Sequence, residues 1–225
     1  EIYYPVIKEN HFEEMGGGKT TFCNLIARFW DVNSGEILIG GKNIKDYKIE
    51  NLMNSISMVF QDVYLFEDTI ENNIKFGKQN ASHEEVVQAA KKARCHEFIE
   101  ALPEGYDTII GEGGASLSGG EKQRISIARA MLKDADIIIF DEATASIDPE
   151  NEDKLKEAIE SLTKNKTVIM IAHRLKTIRN ADQILVLKDG EIVERGNHEE
   201  LIKNNGLYSD LINAKAKAES WKLNN

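Results

Sequence analysis

Gly16-Gly17-Gly18-Lys19-Thr20-Thr21 has the composition of the tail of a phosphate-binding loop. Successive glycines let backbone N–H groups curl around phosphate oxygens without Cβ clashes. The helical pattern that follows, through Leu25 and Phe29, would aim its positive end at the anion. Lys19 would then reach the β- and γ-phosphates, and Thr20 would ligate Mg²⁺. By itself the hexapeptide is also readable as a glycine turn before a helix.

Two further segments carry chemistry of a matching kind. Ile137-Ile138-Ile139-Phe140-Asp141-Glu142 is an apolar run ending in two acids, which delivers carboxylates to the C-terminal edge of a sheet, where ligands of open α/β sheets bind. There Asp141 would hold Mg²⁺ through water and Glu142 would polarise an attacking water. Leu117-Ser118-Gly119-Gly120-Glu121 opens a helix with a capping box between Ser118 and Glu121. The amides of Gly119 and Gly120, with the helix dipole, make a second anion site. In isolation the first of these is a solvated strand end and the second a well-capped helix; their co-occurrence in one chain points to nucleotide chemistry.

The glycine loop has a defect. The pattern G-x-x-x-x-G-K-[ST] wants a glycine where Glu13 stands, and the strand that should feed the loop is replaced by Lys8-Glu9-Asn10-His11-Phe12. Glu13-Glu14 would repel phosphate. Either the loop is damaged, or residues 1–15 are an atypical or non-native lead-in, with Met15 a start after a leader or a segment missing.

The elements that must position these residues are legible in part. Ile137–Phe140, Val168–Ala172 and Ile184–Leu187 read as buried strands, and Glu150–Leu162 between the first two reads as a helix capped by Asp148 with Pro149 as its first residue. Strand, helix, strand implies a parallel sheet. Asp189-Gly190 signals a hairpin. Residues Asp62–Lys133 read as helices, including Ser82–Arg94 behind a Ser82/Glu85 capping box, and the tail His198–Trp221 as helical. The expected organisation is an α/β, RecA-like P-loop core with a parallel sheet, a helical subdomain and a partial antiparallel β subdomain. Its segments are 1–15 as lead-in, 16–61 as phosphate-loop helix and β subdomain, 62–133 as helical lobe, and 134–225 as core with C-terminal helices.

Composition sets the outer limits. The 225 residues are 41% apolar and 29% charged, with 28 basic against 38 acidic side chains and a formal charge of −10. That charge makes nucleic acid a poor partner. Two cysteines exclude a disulfide framework, and no apolar run reaches a membrane span.

The motifs together resemble the ATP-binding cassette (ABC) ATPases. Leu117–Glu121 followed by Lys122-Gln123-Arg124-Ile125-Ser126-Ile127-Ala128-Arg129-Ala130 resembles the signature region, Ile137–Glu142 the Walker B strand, Ala145–Asp148 the D-loop, Ile171–Arg174 the switch-histidine segment and Val59–Asp62 the Q-loop. The likeness runs from Gly16 to Ala214 in the family's order. Gln61–Ile74 and Gly111–Gly114 are similar to the exporter branch, where those surfaces face the coupling helices of a transmembrane domain.

The resemblance implies a head-to-tail dimer of two nucleotide-binding domains with ATP held between them. Each ATP would sit on Gly16, Gly17, Gly18, Lys19, Thr20 and Thr21 of one chain and on Ser118, Gly119 and Gly120 of the other. Glu142 would activate water, His173 would contact the γ-phosphate, and Gln61 would sense Mg²⁺ beside Thr20 and Asp141. It further implies a transmembrane partner and a place at the cytoplasmic face of the cell membrane. The adenine-stacking aromatic of the family has no counterpart, since Tyr3 and Tyr4 lie too close to Lys19. Against this stand two other readings: a cassette that only assembles, because its loop is impaired, and a soluble ABC ATPase acting on DNA or ribosomes.

Overall fold

The apolar runs read as buried strands are strands in the computed structural model of the chain. It describes residues 3–7, 19–60, 62–111, 117–141, 149–171 and 178–214, with 3–7, 19 and 149–151 described by their backbone. The chain divides into two compact units, Glu1–Tyr47 with Val168–Asn225, and Lys48–Thr167.

In the Lys48–Thr167 unit the elements run α2 (Ile49–Ser55), β4 (Ile56–Phe60), β5 (Asp68–Thr69), α3 (Ile70–Lys75), α4 (His83–Lys92), α5 (His96–Glu100), β6 (Ile109–Ile110), α6 (Gly119–Lys133), β7 (Ile137–Asp141) and α7 (Pro149–Thr163). Its centre is α6, which packs against α3, α4 and α7. Gln123 through Ala128 are all buried, so this helix is covered on nearly every face. Each of Ile125 and Ile127, fully enclosed, contributes about 1.5–3 kcal/mol by leaving water. Beside α6, β4 and β7 pair in parallel, with Ile56 opposite Ile137 and Phe60 opposite Asp141. Ile138, Ile139 and Phe140 are fully buried, which is why the run is continuously apolar. The α7 pattern holds, with Leu155 and Leu162 buried. Its predicted cap, Asp148, lies outside the described residues.

The other unit contains β1 (Tyr3–Ile7), α1 (Lys19–Ile26), β2 (Leu38–Ile39), β3 (Lys42–Asn43), β8 (Thr167–Ile171), β9 (Gln183–Lys188), β10 (Glu191–Gly196) and α8 (His198–Lys203). Here β1 lies between β8 and β9, parallel to both, in register Tyr3 to Ile169 and Tyr3–Ile7 to Gln183–Leu187. β10 returns antiparallel to β9. Asp189 and Gly190 both have positive φ, 52° and 81°, as a two-residue hairpin turn demands. β2 and β3 form a two-stranded antiparallel piece.

Three expectations change. A strand does precede the glycine loop, at Tyr3–Ile7. It escaped the sequence reading because Pro5 interrupts it and because the pairing with β9, not a local pattern, defines it. The phosphate-loop helix ends at Ile26 rather than running to Phe29, since Arg28 turns left-handed at φ 55° and leaves Phe29 half exposed. In its described part the tail is two helices, α8 and residues 207–214, broken where Asn205 takes φ 50°; the rest of the expected helix, to Trp221, lies outside the described residues. The Glu194 carboxylate accepts the Leu207 and Tyr208 amides and so caps the second.

Candidate functional site

Ser118 is the N-cap of α6, extended at φ −65°, ψ 160°. Its hydroxyl accepts the Glu121 amide at 3.3 Å, and the Glu121 carboxylate accepts the Ser118 amide at 2.8 Å. This capping box occupies the third amide of the helix. Among the described residues no acceptor meets the Gly119 and Gly120 amides, which carry the positive end of a fifteen-residue helix. Gly119 has neither a left-handed φ nor a close neighbour: a Cβ built there finds no described heavy atom within 4 Å. Nothing among the described residues therefore requires glycine at that position. The open space at Gly119, beside amides with no acceptor among the described residues, fits an oxyanion that approaches from outside.

At the other chemical end of the same unit, β7 delivers Asp141 to the C-terminal edge of the β4–β7 pair. Phe60 ends β4 directly beside it. The chain thus leaves the sheet toward Gln61 and toward Glu142 from adjacent strands on the same edge. Gln61 and Glu142 themselves lie outside the described residues. The end of β4 is pinned, because Gln123 Nε2 on α6 donates to the Phe60 carbonyl at 3.2 Å.

In the second unit, Lys19, Thr20 and Thr21 form the first turn of α1, which contains no acid, and both threonines are exposed. Gly16, Gly17 and Gly18 lie outside the described residues, as does His173, which follows β8. The oxygen donors of Thr20 and Asp141 have the hard chemistry that Mg²⁺ takes.

Beyond Gln61 the chain builds an exposed aromatic patch. Tyr64 and Phe66 meet edge to face at 5.1 Å, Phe66 and Phe76 at 4.8 Å, and all three rings reach solvent. Asn73, buried on α3, ties the strip down: its Oδ1 accepts the Phe66 amide at 2.9 Å and its Nδ2 donates to the Phe66 and Thr69 carbonyls at 3.0 Å. Arg129 of α6 lies beneath. It donates to the Asn73 carbonyl at 2.9 Å, to Asn73 Oδ1 at 3.3 Å and to the Tyr64 carbonyl at 3.3 Å. Burial pulls its guanidinium pKa down to about 10.

Sequence reasoning missed Asn73, Gln123 and Arg129 as organising residues. A signal existed: Arg129 falls one helical turn after Ile125, and Asn73 sits beside Ile74 and three after Ile70, polar residues on faces that must be buried.

The family model for ABC transporters matches residues 14–145. The chain is 53% identical over 197 residues to an ATP-dependent lipid A-core flippase of Haemophilus influenzae, covering 87% of this chain and 34% of that protein. It is 56% identical over 196 residues to an ATP-dependent lipid A-core flippase of Syntrophus aciditrophicus, covering 87% and 33%. A solved structure of a bacterial Atm1-family ABC exporter with ATP bound superposes with a TM-score of 0.86 at 41% identity, over 96% of this chain and 36% of that one. The chain spans about a third of the length of the curated relatives it matches. No described helix is long and apolar enough to cross a membrane.

Proposed function

We propose that the chain, which belongs to the ABC transporter family, binds and hydrolyses ATP for an exporter whose membrane-spanning part docks against it. The observation that carries this reading is the start of α6, where the Gly119 and Gly120 amides meet no acceptor among the described residues and open space surrounds Gly119. A second copy brings the acceptor. Its ATP, seated on Gly16–Thr21, presents phosphate oxygens to Ser118, Gly119 and Gly120 of this chain, and the exchange is reciprocal, so two nucleotides close a head-to-tail dimer.

Within each site the residues divide the work. Lys19 balances phosphate charge and the first turn of α1 orients it. Glu142 holds and deprotonates the attacking water, Gln61 fixes its position, and His173 donates toward the γ-phosphate as charge builds there. When bound, Mg²⁺ neutralises the phosphates, held by Thr20 and by Asp141 with Gln61. The register that puts Phe60 beside Asp141 supports this grouping, because Gln61 and Glu142 are the next residues in the sequence after those two paired strand ends. The aromatic strip at Tyr64, Phe66 and Phe76 suits the membrane-spanning partner. Docked there, the chain works at the cytoplasmic face of the membrane, and the membrane-spanning part selects the cargo.

Calorimetric titration of the chain with ATP and Mg²⁺, followed by phosphate release, tests the reading. Saturable heat with turnover is expected. Neither heat nor thermal stabilisation would leave only an assembly role.

A further inference from the structure

The half-buried Arg129 under the aromatic strip is tied to more of that strip than packing needs. Arg129 presents three N–H donors to acceptors on two separate stretches of chain, the Tyr64 carbonyl and both oxygens of Asn73. Its guanidinium carbon also stands 5.7 Å from the Phe66 ring and 5.5 Å from the Phe76 ring. Asn73 Oδ1 is shared, receiving the Phe66 amide on one side and Arg129 Nη2 on the other. Six residues earlier on the same helix, Gln123 holds the Phe60 carbonyl. One helix therefore holds the chain ahead of the strip, at Phe60, and the strip itself, at Tyr64 and Asn73. Gly119 lies ten residues before Arg129, about 15 Å along α6.

From this geometry we infer that Arg129, acting through Asn73, is the positioning residue that makes the Tyr64–Phe76 surface move as one body with α6. Occupation of the Gly119 end by nucleotide is thereby felt at the aromatic surface. The inference rests on the functional reading above. A planar fork with fixed donors does what a lysine cannot, because a single ammonium cannot reach the Tyr64 and Asn73 carbonyls and Asn73 Oδ1 together in the same directions. Arg129 touches no reacting atom.

The Phe66 amide is the reporter, since its acceptor is the oxygen that Arg129 also holds. Hydrogen exchange is measured on the whole chain carrying Glu142→Gln, with and without Mg-ATP, and again with Arg129→Lys added. In the Glu142→Gln chain, Mg-ATP slows exchange at Gly119–Glu121 and shifts exchange at Phe66 by about threefold or more. With Arg129→Lys, Phe66 exchanges about tenfold faster without nucleotide, and its response to Mg-ATP disappears while that of Gly119–Glu121 remains. A purely structural role would speed Phe66 exchange but leave the response intact, and that result overturns the inference. So does a Phe66 amide indifferent to Mg-ATP before Arg129 is changed, a result that needs no folded variant. If Gly119–Glu121 fail to respond at all, the functional reading falls first and carries the inference with it.

Discussion

Substituting Gly119 by alanine separates what the fold needs from what the nucleotide needs. The position is helical, its φ is ordinary, and a Cβ there meets no described atom within 4 Å. Alanine is the better helix former by up to about 1 kcal/mol in a helix interior and by less at a first position. For a chain of this size the melting temperature should hold or rise, by no more than about 4 °C. Binding should go the other way. A phosphate oxygen on the Gly119 amide must come within about 2.9 Å of the nitrogen, through the space the new methyl takes. Losing one charge-assisted hydrogen bond costs about 1.5–3 kcal/mol, and a symmetric dimer loses it at both sites, about 3–6 kcal/mol in all. That corresponds to a dimer weaker by a factor of about 10² to 10⁴. Melting curves and sedimentation with Mg-ATP, in the Glu142→Gln background, read the two effects separately. A variant that melts well below the parent would show that the glycine serves the fold. One that dimerises like the parent would show that nothing binds there.

Other substitutions test other links. Glu142→Gln should slow hydrolysis by about 10²-fold or more and accumulate the ATP-bound dimer; parental turnover would remove Glu142 from its role as base. Gly77→Ala should destabilise by about 1–3 kcal/mol or more, because the new Cβ would stand 2.1 Å from the Arg129 carbonyl oxygen on a helix that cannot yield, and an unchanged melting temperature would contradict that contact. Burial alone would raise the Glu71 pKa, but hydrogen bonds from Lys75 and His83, each at 2.6 Å, outweigh it and hold the carboxyl below its usual range. A depressed carboxyl stabilises the fold above its unfolded pKa and loses that contribution as pH falls through the folded one. The stability gap between parent and Glu71→Gln, no more than about 1 kcal/mol at pH 7, should therefore close below about pH 4.3 in urea titrations, and a gap constant down to pH 3 would refute the pairing.

What could be read in advance followed from local chemistry. The capping boxes at Ser82 and Ser118 form with both reciprocal bonds, because their partners are three residues apart. The Asp189-Gly190 hairpin and the Ile137 strand followed from turn geometry and two-sided burial. What escaped depends on distant pairing. β1 contains a proline and is a strand because β9 and β8 flank it. β4 gains its meaning from the register that sets Phe60 beside Asp141. Arg129 and Asn73 are separated by more than fifty residues, so no window along the chain could join them. The motif order identified the family; the support beneath the motifs needed coordinates.

The central claim is that one chain holds two halves of different sites, and dilution tests it most directly. Specific ATPase activity, measured per chain at saturating Mg-ATP, should rise with protein concentration and level off once dimers dominate. Turnover per chain that stays constant across a wide dilution series would mean that each site is complete within a single copy, and would contradict the account.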